Sequence, residues 1–189
     1  KEIKNKVPLI GFSGSPFTLA CYMIEGRSGS DFSNTKRLMY KRPDVFNKII
    51  KKNTEAVIEY LNLQIESGIN VWMIFDTWGG ILAHRDYLNY SLLNIKFICQ
   101  ELKKKFKNKT PPGILFTKGG YPWIIDMADS GVDAIGLDWT VDISEARKTV
   151  GKKVSLQGNL DPQILMSNEK KIEKEVNYIL ESFSYGSGH

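Results

Sequence analysis

The sequence predicts an α/β fold on a parallel sheet, and within that class part of a (β/α)8 TIM barrel with about five of its eight strand-helix units. Five short apolar runs alternate with amphipathic segments along 189 residues. Each run is almost continuously hydrophobic, as a strand covered on both faces requires. All five runs end in polar or glycine clusters: "SGSP", "DTWGG", "TKGG", "LDWT" and "QGNLD". Doubly wound sheets and barrels both fit this rhythm, and both bind ligands beyond the carboxyl ends of their strands. A complete barrel takes about 250 residues, so five units point to part of one.

The first strand is "VPLIGFSGSP", and "FTLACYMIEG" follows as a short helix or loop before a polar stretch rich in Ser and Gly. Over residues 42–68, Val45, Phe46, Ile49, Ile50, Val57, Leu61 and Ile65 recur at helical spacing. Pro43 stands in the first turn of that helix and Gly68 just past its end. "INVWMIFDTWGG" is the second strand, "ILAHRDYLNYSLLNIKFICQELKKKF" its helix, and "TPPGILFTKGG" the third strand. A short helix in "YPWIIDMADSG" closes at Gly131, and "VDAIGLDWT" is the fourth strand. In "DISEARKTVG", Asp142 and Glu145 have the spacing of a capping box, in which each side chain serves a free backbone donor. "KKVSLQGNLD" is the fifth strand, Asp161-Pro162 starts a turn or helix, and "NEKKIEKEVNYILESF" is the last amphipathic helix. The final "SYGSGH" stands where another strand would begin.

Composition narrows the function classes. The chain is 42% hydrophobic and 25% charged with a net charge of +5, which suits one globular domain with a core. Much of the positive excess is Lys103, Lys104, Lys105, Lys107 and Lys109, a solvated helix terminus where cations meet the dipole favourably. No aromatic residues interleave a basic stripe, so nucleic acid is not an expected partner. No apolar run approaches the roughly 18 residues of a membrane span. Cys21 and Cys99 sit among apolar residues as small core side chains, and no disulfide framework or zinc-ligand pattern surrounds them. His84 reads as a surface histidine and His189 as a terminal one. "GFSGSPF" lacks the Lys-Ser/Thr ending of a P-loop, and its Ser13 has no His partner for a nucleophile elbow.

The strand ends instead carry hydroxyls (Ser13, Ser15, Thr77), the phenol of Tyr22, the cation Lys118, and the carboxylates or amides of Asp76, Asp138, Gln157 and Asn159. Such a set suits a polar, acidic small molecule and needs no cofactor. Asp76, Asp138 and Asp161 each lie where a helix N-cap belongs, the structural reading. Phe12, Trp78, Trp123 and Trp139 fit core packing more readily than ligand stacking.

"PLIGFSGSPFTLACYMIEG", "IFDTWGG", "LFTKGG", "GLDWT" and "LQGNLDP" together resemble consecutive signatures of the uroporphyrinogen decarboxylase family, bacterial and plastid type. The resemblance runs over the whole chain, in order. It implies a single domain, 1–189, forming the central to C-terminal portion of a (β/α)8 barrel that acts as a homodimer without cofactor or metal. The implied reaction turns the four acetate side chains of uroporphyrinogen into methyl groups, giving coproporphyrinogen, in the cytoplasm or alternatively a plastid. The AT-rich residue bias in Lys, Asn and Ile goes with the plastid alternative. By the resemblance, Tyr22 matches a cleft tyrosine that contacts substrate, Thr77 a Ser/Thr hydroxyl that hydrogen-bonds it, and Phe12 an apolar residue lining the cleft. Tyr22 and Thr77 are therefore the expected catalytic residues, and Phe12, Tyr22 and Thr77 the expected substrate-binding ones. Phe17 stands where Trp is common in the family.

The same match places the family's arginine-rich loop and pyrrole-binding aspartate before Lys1, and a site histidine on a strand after the chain stops. His189 aligns with a different histidine. These residues alone are then expected to lack catalytic competence and to expose apolar surface where further strands pair. Two other readings compete: a non-catalytic tetrapyrrole-binding or interaction fragment, and a zinc-dependent corrinoid or thiol methyltransferase of the same superfamily. The last needs His or Cys ligands at strand ends, and "FTKGG" has neither.

Overall fold

Five parallel strands pair in the order of the chain: β1 (Ile10–Gly14), β2 (Val71–Asp76), β3 (Gly113–Thr117), β4 (Ala134–Gly136) and β5 (Ser155–Gln157). The computed structural model describes residues 7–26, 31–183 and 188–189. Outside them lie the Ser- and Gly-rich stretch at 27–30 and part of the further strand placed from residue 184. Strand order separates the two folds the sequence left open. A doubly wound sheet reverses its order at a switch point, and this sheet never does. Right-handed crossovers between successive neighbours put the covering helices on one face. The sheet is an arc of a (β/α)8 barrel.

Those helices are α1 (Pro16–Glu25), α2 (Ser33–Lys41), α3 (Pro43–Glu66), α4 (His84–Asp86), α5 (Leu93–Phe106), α6 (Ile124–Ala128), α7 (Ile143–Val150) and α8 (Glu169–Phe183). A π-helical segment, Tyr87–Leu92, joins α4 to α5. The helix α2 was not expected. Only Thr35 and Met39 of its nine residues are buried, too few to print a helical period on the sequence. Asp142 caps α7 by accepting from the N–H groups of Ser144 (2.8 Å) and Glu145 (3.2 Å). Glu145 does not return the favour but takes the Lys148 ammonium at 2.6 Å. The predicted capping box is thus half formed.

Strand alternation divides the side chains between two faces. Trp72, Ile74, Leu115, Ile135 and Leu156 point to the helices and are fully or almost fully buried. Each of these aliphatics contributes about 1.5–3 kcal/mol by leaving water. The Trp72 indole lies where a Cβ on Gly113 would sit, 2.0 Å away, and donates to the Pro111 carbonyl at 2.9 Å. Its neighbour in register therefore has to be glycine. Cys21 and Cys99 join this core as predicted, both free. Burial pushes each thiol up to about 12, for Cys21 with help from the negative charges of Asp76 and Glu25. Both stay protonated at neutral pH and neither reaches the rim.

The opposite face is the concave one. Phe12, Met73 and Ile114 form one row by register, and Phe75, Phe116, Gly136 and Gln157 the next. Phe12 meets Phe75 edge-on at 5.7 Å, and Phe75 meets Phe116 at 5.9 Å. Phe12 remains 60% exposed, and Val7, Leu9 and Ile10 beside it are exposed as well. This apolar margin follows the edge of β1 that pairs with no other strand among the described residues.

Candidate functional site

The carboxyl ends of the strands open on the concave face. At the end of β1, Ser15 caps α1: its hydroxyl accepts from the Thr18 N–H at 3.0 Å, and Pro16 occupies the first helical position. One and a half turns on, α1 presents Tyr22, 39% exposed, with its ring edge-on to Trp78 at 6.3 Å. Thr77 immediately precedes Trp78, in the turn that follows β2. The structure therefore brings Tyr22 and Thr77 to one corner of the rim through Trp78, and sets Phe12 against Phe75 on the adjoining wall. Of the other aromatic rim residues, Trp139 is 42% exposed under the Lys118 ammonium, 5.4 Å from its ring centroid. Trp123 is core, stacked on Tyr87 at 4.2 Å.

Several polar residues read from the sequence as rim groups turn away from it. Ser13 and Ser15 are buried on the helix side. Asn159 donates to the carbonyls of Asp138 (2.8 Å) and Val141 (2.6 Å), tying the fourth and fifth strand ends together. Asp161 does cap a helical turn, accepting from Gln163 N–H at 2.9 Å. Asp138 caps no helix. Its carboxylate accepts from the N–H of Gly119 (2.5 Å) and from Thr140 N–H (2.9 Å) and hydroxyl (2.5 Å). Burial opposes its ionisation, but those donors and the charge of Lys118 outweigh it and hold its carboxyl below the usual range. A depressed carboxylate stabilises the fold above its unfolded pKa and gives that up as pH falls through the folded one.

Asp76 caps no helix either. It is 0% exposed and forms the centre of a cluster of hydroxyls. Ser15 donates to Oδ1 at 2.5 Å and Thr18 to the same oxygen at 3.5 Å. Ser91 donates to Oδ2 at 2.7 Å and Thr117 at 3.3 Å. Tyr87 extends the cluster through its hydroxyl, 3.1 Å from Thr117 Oγ1. Burial raises the Asp76 carboxyl above its ordinary 3.8, against the pull of those four hydroxyls. A raised pKa means the native state holds its proton where the unfolded chain has lost it. The associated stability is complete below about 3.8 and disappears as pH climbs through the folded value. The variant Asp76→Asn cannot titrate there, so wild type should lose stability relative to it as pH rises above about 4. Paired urea melts across that range check this, and a constant difference between the two proteins rules it out.

The sequence did not single out Phe75, Phe116, Thr18, Ser91 or Thr117. Alternation from the buried Trp72 and Ile74 could have placed Phe75 on the concave side. Nothing could have placed Ser91, because the π-helical segment shifts the phase of the helix just where that residue turns inward.

Among known proteins, the family model described as uroporphyrinogen decarboxylase matches residues 1–189. The chain is 53% identical over 189 residues to the uroporphyrinogen decarboxylase of Nitrosospira multiformis, covering 100% of this chain and 52% of that protein. Those of Histophilus somni and Neisseria meningitidis are each 50% identical over the same 189 residues, with 53% of each covered. The chain thus spans about half the length of the curated relatives it matches. A solved methyltransferase from Methanosarcina mazei shares the fold with a TM-score of 0.79 at 21% identity, over 96% of this chain and 52% of that one. The arc of parallel strands, the concave aromatic wall and the five strand-end motifs sit within a match that leaves no part of the chain out: the chain belongs to the uroporphyrinogen decarboxylase family.

Proposed function

We propose that the full-length protein decarboxylates the four acetate side chains of uroporphyrinogen to give coproporphyrinogen, and that this chain supplies one wall of the cleft. Identity of about half the residues over all 189 positions to proteins bearing that name carries the reading. Each step breaks the bond from the methylene carbon to the carboxylate, releases carbon dioxide and places one proton on the methylene carbon. Protonation of a pyrrole carbon first makes a cationic ring that accepts the released electron pair, and the ring carbon gives that proton up again once the methylene carbon is protonated, so the electron sink lies in the substrate. The protein's task is to hold the ring, move protons and stabilise the cation. In this reading the concave wall of Phe12, Phe75 and Phe116 packs on the macrocycle, while Tyr22 and Thr77 offer hydroxyls at its edge. Lys118 and Gln157 line the same rim for its carboxylates. Twofold assembly in the cytoplasm, or alternatively a plastid, belongs to the same proposal, and sedimentation of the full-length protein tests the dimer.

The decisive assay is anaerobic, with the gene's full reading frame, reduced uroporphyrinogen and no added cofactor. Species with seven, six, five and then four carboxylates should appear in order. Folded protein that binds the porphyrin without product would sink the decarboxylase reading in favour of a tetrapyrrole-binding protein. Within the same assay, Phe12→Ala should raise KM several-fold and leave kcat within about twofold, because it removes packing felt equally by substrate and transition state. An equal fall in kcat would contradict that role.

A further inference from the structure

The two oxygens of Asp76 serve different parts of the molecule. Oδ2 takes the hydroxyls of Ser91 and Thr117, which belong to the helix layer and to β3. Oδ1 takes those of Ser15 and Thr18, which belong to the turn and first helix after β1. Each of the latter two has a second task at the rim. Ser15 caps the helix that carries Tyr22. The Thr18 hydroxyl accepts the N–H of Trp78 at 3.2 Å, the residue that follows Thr77 and lies against the Tyr22 ring. The Ser15 N–H adds a bond to the Phe75 carbonyl at 2.9 Å. Oδ1 of this fully buried carboxyl passes its position to both rim residues, and Thr117 still holds Oδ2 when the Ser91 bond is removed. Gly79 keeps the space clear, since a Cβ there would fall 1.9 Å from Oδ2.

We propose that Asp76 is a positioning residue: by way of Ser15 and Thr18 its Oδ1 fixes the helix bearing Tyr22 against the turn bearing Thr77, and so sets how the two hydroxyls meet the substrate. Its side chain points to the helix layer and touches no substrate. The inference rests on Tyr22 and Thr77 being site hydroxyls of the decarboxylase proposed above. A small displacement of such groups costs rate far more than it costs binding.

The test compares spokes of the same cluster in the full-length protein. Thr18→Val removes the link toward the site at nearly constant volume, Thr18→Ser keeps the hydroxyl, and Ser91→Ala removes a link on the other oxygen. Thr18→Val should lower kcat about tenfold with KM within twofold, and Thr18→Ser should restore it. Ser91→Ala should lower the melting temperature at least as much as Thr18→Val while leaving kcat within twofold. A second readout does not depend on turnover: in 3-fluorotyrosine-labelled protein, with the Tyr22 resonance assigned by Tyr22→Phe, Thr18→Val should shift or broaden that resonance and Ser91→Ala should not. Rates that track melting temperature alike in Thr18→Val and Ser91→Ala, or an unmoved Tyr22 signal in Thr18→Val, would overturn the proposal. If wild type itself makes no product, the decarboxylase reading fails, and the Tyr22 fluorine signal of Asp76→Ala, which leaves the Thr18 hydroxyl free to accept the Trp78 N–H, decides whether Asp76 fixes the Tyr22 helix.

Discussion

Tyr22→Phe is expected to cut turnover of uroporphyrinogen by the full-length protein by about 10²-fold while leaving its unfolding free energy within about 0.5 kcal/mol. The change deletes one oxygen. The ring keeps its edge-on contact with Trp78, so α1 stays seated, and the half-exposed phenol leaves no buried partner orphaned behind it. The loss therefore falls on whatever the hydroxyl does for the reacting ring. A donor or proton carrier used only in the transition state lowers kcat and kcat/KM together, which distinguishes it from a group that merely binds a carboxylate. Thr77→Val makes the companion test on the other side of Trp78. If both hydroxyls serve one proton-transfer step, the double variant should be little slower than the worse single one. Fully multiplied losses would assign them to separate steps, and an unchanged rate for Tyr22→Phe would remove Tyr22 from the mechanism.

The sequence carried the fold because the signals that specify it are local. Continuous apolar runs, Pro43 and Gly68 around α3, and the Asp142 cap of α7 all appear where the sequence places them. What it left open, barrel against doubly wound sheet, depends on which strands become neighbours, and that is a property of the whole chain. The rim was legible in part. Tyr22, Thr77 and Phe12 were named through the family resemblance; the structure sets the Tyr22 ring against Trp78, the neighbour of Thr77, and the Phe12 ring against Phe75. Composition alone overcounted the rim. Ser13, Ser15, Asp76 and Asn159 are polar residues at strand ends, but Ser15 and Asp76 satisfy each other, while Ser13 and Asn159 donate to backbone carbonyls. The cluster around Asp76 could not be read from spacing, because its hydroxyls come from residues 61, 58, 15 and 41 positions away.

Gly79→Ala should cost about 3–5 kcal/mol of stability. The added Cβ would lie 1.9 Å from Asp76 Oδ2, 2.7 Å from its Cγ and 3.1 Å from Oδ1. A flexible surface side chain could swing away, but this carboxyl is pinned by four hydroxyls and has no solvent to retreat into. Relief requires breaking the Ser91 and Thr117 bonds at 2.7 and 3.3 Å. Each buried group left unpaired costs about 1–3 kcal/mol, and the overpacking itself adds about 1–3 kcal/mol. Against a total stability on the order of 5–15 kcal/mol for a folded domain, such a loss is large. Gly26→Ala provides the contrast: nothing lies within 4 Å of its added Cβ, and only the left-handed φ of 68° is strained, at about 1–2 kcal/mol. The cause can be isolated with a double-mutant cycle, since Gly79→Ala should cost much less in an Asp76→Ala background, where the colliding oxygens are gone. Additive losses in denaturant melts would show that the glycine is needed for something other than room for Asp76.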